Sequence, residues 1–432
     1  MKRTILSALA AIGAMTMCAE SWTLDRCVEY AIEHNINIKQ RQLSARQGEI
    51  EVTAAKDRFL PEVSAYGSQN FNFGRGLTSE NTYVNRNTSS FSVGGNLSLP
   101  IFQGLSAVRN LSYSRASLRA LLEQVEAAKD DVTLNVISQY LQTLYAGEML
   151  QVARINLEIS KNELARRREL LDAGKIPELD IFEAEAQVSS DELNVTGAES
   201  DSIMAVLELS QLLNLPSAEG FEIEPVSDYT PLLPAPEDVF ANAWAINHTI
   251  EAGRLNKIAA EKNVSVAKAG WIPRLSFNAG IGTNYYKTSG FSNEGFSAQM
   301  RHNFAKTLGF SLSVPIFDAF STRNSVKRAN LQVESARLEL DNARNELYKA
   351  IMQAHTQAVR AAKQQESSAK AVANTKAAFD AMAVKYNNGR ANATEFEKAK
   401  SDYMTSLAQE VQARYEYLLR ARIIMFYNGT KF

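Results

Sequence analysis

The feature that most constrains this chain is a short segment that occurs twice, each time between an alternating stretch and a very long stretch without proline. The first copy is Leu97-Ser-Leu-Pro-Ile-Phe-Gln-Gly104 and the second is Leu312-Ser-Val-Pro-Ile-Phe-Asp-Ala319. Apolar residues alternate with Ser, Gly and Asn before each proline, which predicts a β-strand with one apolar and one polar face. Proline cannot donate to a strand ladder, and its fixed φ suits the first turn of a helix. Each copy therefore predicts a strand, then a proline, then a helix.

The helices predicted after these prolines are far longer than those of ordinary globular proteins. Residues 102–172 contain no proline, and their apolar residues recur at intervals of three and four. A helix of 71 residues would be about 105 Å long at ~1.5 Å per residue. That length points to coiled-coil packing. A second helix of the same length is predicted over residues 317–387.

The whole pattern is repeated at a nearly constant spacing along the chain. Pro61 recurs as Pro273, and Pro100 recurs as Pro315 at almost the same offset. The four prolines mark the predicted junctions between strands and helices. Gly174 and Gly389, which follow the two long helices, keep the offset of the second proline pair. A spacing that holds over so much of the chain predicts an internal tandem duplication.

These signals divide the chain into four predicted segments. They are a signal peptide over residues 1–21, a first repeat over 22–215, a proline-rich connector over 216–236 and a second repeat over 237–432. The first repeat contains a helix over 24–59, a hairpin over 62–100, the long helix over 102–172 and a helix over 176–213. The second repeat contains a helix, a hairpin over 274–315, the long helix over 317–387 and a helix over 392–428. Polar loops are expected over 74–90 and 286–305.

The N-terminus predicts export from the cytoplasm. Lys2 and Arg3 precede a short apolar run, as in secretory signal peptides, and cleavage is expected after Ser21. Lipid attachment at Cys18 is the alternative, although Met17 before it is larger than the residue usual there. The net charge of −2 gives no basic excess for nucleic acid, and two cysteines make no disulfide framework.

The predicted strands point to a membrane barrel shared by several chains. Each strand has about 9 to 12 residues, close to the length that spans a bilayer when tilted. Four strands cannot close a barrel, and open sheet edges do not occur in lipid. Three copies would supply twelve strands, an even number that membrane barrels use. The alternative is two soluble hairpins packed on a helical bundle.

Together with the duplication, the paired short and long helices and the strand–proline–helix junctions, the turns after the long helices resemble those of the TolC-type outer-membrane efflux and secretion channels. Leu171-Asp-Ala-Gly174 is followed by Asp180, and Tyr386-Asn-Asn-Gly389 is followed by Glu395. The resemblance covers essentially the whole mature chain. It implies a membrane α+β fold: a homotrimeric twelve-stranded transmembrane β-barrel with four strands per chain, continued by a long periplasmic α-helical barrel.

The resemblance also implies a function in the outer membrane. The chain would be the passive exit duct of a tripartite efflux or type I secretion system. A periplasmic membrane-fusion adaptor would dock at the turns, and an inner-membrane RND or ABC pump would supply energy. The implied adaptor-docking residues are Gly174, Lys175 and Gly389.

A periplasmic gate is implied at the same turns. Its candidate residues are Asp180, Tyr386, Arg390, Glu395 and Lys398. In the family, the acid at the position of Asp180 bonds to the tyrosine at the position of Tyr386. The family's arginine falls at Ala391 here, one residue after Arg390, and Lys398 replaces the second acid of an inner ring that some relatives carry.

No residue pattern in the chain predicts an enzyme, a cofactor or a metal site. The four histidines, His34, His248, His302 and His355, lack metal-ligand spacing. The function of a different class that the sequence leaves open is a structural or adhesive periplasmic coiled-coil protein. Such a protein would need no detergent, whereas a channel would insert into lipid and conduct.

Overall fold

A computed structural model of the chain describes residues 21–77, 81–218, 220–226 and 233–430. Apart from Ser21, the predicted signal peptide and the alternative lipid site at Cys18 lie outside these residues. In chain order the elements are α1 (Leu24–His34), α2 (Ile36–Asp57), β1 (Glu62–Asn72), β2 (Arg75–Leu77), β3 (Tyr83–Asn85), β4 (Thr88–Gln103), α3 (Ser106–Asp172), α4 (Leu179–Leu212), α5 (Pro236–Ile246), α6 (His248–Lys268), β5 (Arg274–Thr288), α7 (Phe296–His302), β6 (Ala305–Ser313), α8 (Ser321–Asn387) and α9 (Ala393–Tyr427).

The described residues form two compact units. The first contains those within 1–40, 126–247 and 344–432, and the second contains those within 41–125 and 248–343. Each unit takes elements from both halves of the sequence, so the two repeated halves are interleaved in space. In the described part of the chain, no helix is both long enough and apolar enough to cross a membrane.

The second unit contains an antiparallel sheet in the order β1-β4-β5-β6. Directly opposed residues share a face, and Leu99, Phe277 and Phe310 lie side by side on one of them. Ser276 and Ser311 are opposed on the other face. The predicted alternation is therefore confirmed: the sheet has one apolar face and one polar face.

The apolar face of the sheet is uncovered along β6 in this chain. Leu308, Phe310 and Leu312 expose 77%, 72% and 66% of their surface. Exposure of three large apolar side chains in a row is typical of a surface that meets lipid or another protein.

The prediction that proline ends the strand is wrong for β4, and the prediction that proline opens the long helix is wrong for both α3 and α8. β4 continues through Pro100 to Gln103, and its register shifts between Pro100 and Phe102. A bulge tolerates proline because its backbone is not fully paired. β6 does end before Pro315, but α8 begins only at Ser321. The prolines at Pro61 and Pro273 each lie immediately before a strand, β1 and β5.

Each long helix instead begins after two residues with left-handed backbone. They are Gly104 (φ +60°) and Leu105 (φ +62°) before α3, and Ala319 (φ +52°) and Phe320 (φ +60°) before α8. The two pairs occupy the same positions within the two repeats. The left-handed pair accounts for the later start of α3 and α8 relative to the predicted residues 102 and 317.

The helix predicted over 24–59 is two helices, because Asn35 interrupts it. Asn35 is extended (φ −61°, ψ 132°) and its side-chain oxygen accepts the Asn37 N–H at 2.9 Å. In the second repeat, Asn247 separates α5 from α6 at the position equivalent to Asn35, with similar backbone angles. An asparagine side chain can bond nearby backbone groups in place of the helical hydrogen bonds. Apolar periodicity continues across such a break and therefore does not reveal it.

Two segments predicted as polar loops contain regular structure. β2 and β3 pair within 74–90, and α7 lies within 286–305. In the connector, the described part includes Ile223, which bridges to Trp22, and Pro236, which already belongs to α5. Pro231 lies outside the described residues.

The core of the first unit lies where α1, α3, α4 and α9 meet. Tyr140 is buried there, with its hydroxyl 2.9 Å from the Trp22 carbonyl and 2.6 Å from the Glu224 carbonyl. Burial raises the pKa of the Cys27 thiol to about 12, so Cys27 is an inert core residue. The buried cluster comprises Leu24, Cys27, Ala31, Ile38, Val132, Val136, Ile137, Tyr140, Leu141, Leu209, Leu213, Phe221 and Leu418.

Gly104→Ala should lower the apparent thermal midpoint of the solubilised protein. An added Cβ would lie 3.0 Å from both Cβ and the carbonyl oxygen of Ile272, and left-handed backbone costs an L-residue about 1–2 kcal/mol. Gly147→Ala within α3 is the matched control, because its Cβ would meet nothing within 4 Å and alanine favours helix by about 1 kcal/mol. A Gly104→Ala protein that melts with the wild type, by circular dichroism at 222 nm, would contradict the turn.

Candidate functional site

The two glycine turns that follow α3 and α8 have the same backbone structure. Gly174 has φ +67° and Gly389 has φ +68°. The Lys175 N–H donates to the Leu170 carbonyl, and the Arg390 N–H donates to the Lys385 carbonyl, both at 2.9 Å. These contacts are the six-to-one bonds of a Schellman cap, so the predicted left-handed glycine caps are confirmed.

The helix after the second turn is capped by Asn392 and Glu395. The Glu395 N–H donates to the Asn392 side chain at 2.8 Å, and the Asn392 N–H donates to the Glu395 carboxylate at 3.0 Å. This capping box occupies one carboxylate oxygen of Glu395. Three residues on, Lys398 pairs with Asp402 at 3.2 Å on the surface of α9.

Tyr386 lies at the centre of a buried polar cluster near the end of α8. Its hydroxyl donates a short hydrogen bond to the Glu163 carboxylate on α3. The same carboxylate oxygen accepts the Arg167 Nε–H at 2.8 Å. Arg167 also donates from Nη1 to the Asp180 backbone carbonyl at 3.1 Å. The cluster therefore joins α8, α3 and the first turn of α4.

The Tyr386 ring is held by two neighbouring side chains. It stacks on Phe396 of α9 at 4.8 Å between ring centroids, and the Arg166 guanidinium lies 4.1 Å from its centroid. Arg166 also donates to the Tyr386 backbone carbonyl at 2.8 Å. These contacts fix the position of the ring, and therefore of its hydroxyl, independently of the hydrogen bond to Glu163.

Electrostatics keep Tyr386 and Arg167 each in one protonation state. Burial raises the pKa of Tyr386, and the hydrogen bond and charge of Glu163 raise it further. Burial alone would lower the pKa of Arg167, but its hydrogen bond to Glu163 and the Tyr386 and Glu163 charges outweigh that effect, so the pKa rises. Tyr386 therefore remains a hydrogen-bond donor, and Arg167 remains a cation, across the physiological range.

The structure gives Tyr386 a different partner from the one the sequence suggests. In this chain the tyrosine bonds to Glu163, whereas Asp180 contributes its backbone carbonyl. Arg390 contributes a backbone N–H to its turn. Glu163 escapes sequence reasoning because it lies in the other half of the chain from Tyr386. The sequence does carry one signal for Glu163: it lies three to five residues before the run Arg166-Arg-Arg168 on the same predicted helix.

A second buried charged cluster joins α3, α4 and α9. Asp191 is 1% exposed and Lys400 is 3% exposed, with 3.5 Å between Lys400 Nζ and Asp191 Oδ2. Ser160 makes short hydrogen bonds to both side chains. Asn156 and Gln187 donate to the other Asp191 oxygen at 2.8 and 3.0 Å. Both oxygens of the buried Asp191 carboxylate therefore accept hydrogen bonds.

Both clusters are built for holding helices together. Over the described residues, no group of three or more His, Cys, Asp or Glu side chains is arranged to hold a metal ion. What the geometry offers is a set of directional bonds from the α3–α4 pair to the α8–α9 pair, at two successive levels. Such bonds can be broken and remade without covalent chemistry.

The sheet and the long paired helices together define the fold class of the TolC-type outer-membrane channels. The Campylobacter jejuni CmeC outer membrane channel superposes with a TM-score of 0.79 at 17% identity, over 94% of this chain and 85% of that one. The sequence model for "Outer membrane efflux protein" matches residues 28–215 and 240–429. The chain belongs to this outer membrane efflux protein family, which places it in the outer membrane.

Curated relatives are similar at low identity. Outer membrane protein TolC of Vibrio cholerae is 22% identical over 285 residues, which cover 64% of this chain and 61% of that protein. Outer membrane efflux protein BepC of Brucella suis is 20% identical over 412 residues, which cover 95% of this chain and 86% of that protein. The chain thus spans less than two thirds of the Vibrio relative. The family favours an export channel over the structural or adhesive alternative.

Lys400→Met should destabilise the protein strongly, because it leaves the Asp191 carboxylate buried without a cation. Removal of one partner of a buried ion pair costs about 3–5 kcal/mol. The double variant Lys400→Met, Asp191→Leu should recover part of the loss, since no buried charge remains. The measurement is urea unfolding followed by helical circular dichroism.

Lys398→Met provides the control two residues away on the same helix. Its side chain is 77% exposed, and an exposed ion pair contributes at most about 1 kcal/mol. Equal unfolding midpoints for Lys400→Met and Lys398→Met would exclude a structural role for the buried pair.

Proposed function

We propose that three copies of this chain form a continuous export duct, with a twelve-stranded barrel in the outer membrane and a helical barrel in the periplasm. The observation that carries the proposal is the sheet order β1-β4-β5-β6, which leaves β1 and β6 without a neighbouring strand among the described residues. Together with the uncovered apolar side chains of β6, this order supports the proposal that the sheet is one segment of a larger barrel.

The argument rests on the cost of unpaired backbone groups in lipid. An unsatisfied N–H or C=O there costs several kcal/mol, so only closed barrels and helices span bilayers. Pairing β6 of one copy with β1 of the next removes all edges once the ring closes. Three four-stranded segments give an even count within the known range. The apolar face would then meet lipid, and the polar face, with Ser276 and Ser311, would line the duct.

Partners and energy would come from elsewhere in the cell envelope. As the family resemblance implies, an inner-membrane RND or ABC pump would deliver substrate through a periplasmic adaptor in a tripartite system. The chain itself would be a passive conduit and no enzyme. The exposed glycine turns at Gly174, Lys175 and Gly389 are the proposed adaptor-docking surface. Glycine has no side chain, so the helices of a partner could approach the backbone of these turns closely.

Detergent-solubilised protein should have the mass of three chains plus bound detergent. Light scattering with refractive-index detection measures this, and planar bilayers then report discrete conductance steps for the purified species. A monomer that retains its strands, or a trimer that leaves bilayers silent, would contradict the duct.

We also infer that the polar contacts near the turns hold the duct closed at rest. Tyr386 with Glu163, and Lys400 with Asp191 and Ser160, both tie α8–α9 to α3–α4 within a chain. A hydrogen bond to a charged group contributes about 1.5–3 kcal/mol. Three copies would supply several kcal/mol in favour of closure, enough to bias a two-state gate heavily. Asp180, Arg390, Glu395 and Lys398 remain predicted gate residues, available for contacts between copies.

Tyr386→Phe should raise single-channel conductance while the trimer persists. The substitution removes the hydroxyl that bonds Glu163 and retains the ring that stacks on Phe396. Tyr403→Phe is the control, because Tyr403 stacks on Phe379 in the same region without the Glu163 bond. Equal conductance in the two variants would remove Tyr386 from the gate. A rise in Asp180→Asn alone would instead locate the closing contact on the Asp180 carboxylate, between copies.

A further inference from the structure

An open polar cavity lies in the second unit, where the sheet meets the ends of the helices. Its volume is about 750 Å³, which falls within the range of small-molecule sites. It is bounded by the end of α2, the starts of α3 and α8, the end of α6, and the adjoining ends of β4, β5 and β6. Neither the fold nor the proposed gate requires a cavity here.

The cavity carries positive charge without a compensating acid. Arg58 and Arg274 both line it, and neither has a hydrogen-bond or ion-pair partner for its side chain among the described residues. None of its described lining residues is Asp or Glu, whereas seven are Ser or Thr. Two unpaired guanidinium groups beside several hydroxyl donors form an arrangement suited to phosphate, sulfonate or carboxylate groups.

The surrounding segments are also basic. Residues 56–62, 103–115, 266–276 and 311–328 contain nine Lys and Arg against three Asp and Glu, although the whole chain has a net charge of −2. The nearest of these acids to α8, Asp318, accepts the Thr322 N–H at 2.8 Å and so caps that helix. The local charge therefore favours an anion, and this acid already has a structural partner.

On the sheet side, the cavity is lined mainly from the polar face, and Phe102 and Leu275 of the other face also border it. Arg274 is opposed to Ser313, and Ser276 is opposed to Ser311; alternation puts all four on the same face. The apolar face, with Phe277 and Phe310, is on the other side. In the proposed barrel the polar face is the one that meets water, so the cavity would open into the duct and away from the lipid chains.

We propose that this cavity is an anion-binding site in the duct wall and that the duct favours cargo carrying a phosphate, sulfonate or carboxylate group. Arg58 and Arg274 supply the charge, and the Ser and Thr hydroxyls supply further donors. The inference about cargo rests on the proposed export function, whereas anion binding itself does not. The ligand is a soluble anion, because the site faces away from the surface that would contact lipid.

Pyrophosphate is a suitable probe of both claims. It should bind the detergent-solubilised trimer in equilibrium dialysis, and it should block single-channel current in planar bilayers from the side on which the turns lie. In Arg58→Gln, Arg274→Gln, both the dissociation constant and the half-blocking concentration should rise at least about tenfold, as expected for loss of a charge-assisted hydrogen bond. Arg274→Lys keeps the charge but lacks the two-pronged geometry, so its shift should be smaller.

Lys268→Gln, Lys327→Gln is the charge-matched control. Both lysines are exposed in the same basic segments, and neither lines the cavity. Wild-type-like binding in this control, with weaker binding in the arginine double variant, supports the site. Equal weakening in both double variants would mean that the general field, and no site, attracts the anion, and would overturn the proposal.

Two further outcomes separate this proposal from the export function. A trimer that never conducts but binds pyrophosphate through Arg58 and Arg274 would refute the duct and the cargo inference while leaving the anion site. A trimer that conducts normally and binds no pyrophosphate would refute the site alone. Anionic phospholipid that co-purifies with the wild type, and not with the arginine double variant, would show that the cavity faces lipid and overturn its place in the duct.

Discussion

The strands of this chain leave backbone hydrogen-bonding groups unpaired at both edges of one sheet, and the rest of the structure depends on that constraint. β1 and β6 each have a strand on only one side among the described residues. Water can solvate such an edge, but lipid cannot. A sheet of this kind beside an uncovered apolar face is stable in a membrane only as part of a closed ring. The two 67-residue helices follow strands of this sheet, and neighbouring strands set the positions of those strands.

The helix α8 is packed largely through small side chains, and this determines where polar contacts are needed. Leu331 and Leu338 on α8 remain exposed. Small side chains allow close approach of helices but discriminate poorly between registers, because one alanine resembles the next. Directional bonds such as those of Lys400 and Asp191 can specify one alignment, as buried polar residues do in coiled coils. The buried apolar residues along α8 are Val326, Ala329, Ala336, Leu347, Ile351, Ala354, Ala358, Ala361 and Tyr386.

The two repeats differ in charge at one buried position between the helices. At the offset that relates the two turn glycines, Ser160 and Asp191 correspond to Thr375 and Ser406. Both pairs are hydrogen-bonded, and the second joins two hydroxyls at 2.6 Å. The counterpart of Lys400 is Glu185, which pairs with Arg168 near the surface. The repeat contact that contains a carboxylate therefore also contains a buried cation, as the cost of an unpaired buried charge requires.

The sequence by itself determined the local parts of this protein. The long helices end at Asp172 and Asn387 as predicted, because a glycine cap depends only on the residues of its own turn. The strands have the predicted faces, because alternation is a property of each strand. Tertiary structure decided that β4 continues past Pro100, since it pairs there with β5, a strand from the other repeat. It also decided that Tyr386 bonds to Glu163. That contact depends on how four packed helices align, and no local pattern encodes a distance between helices.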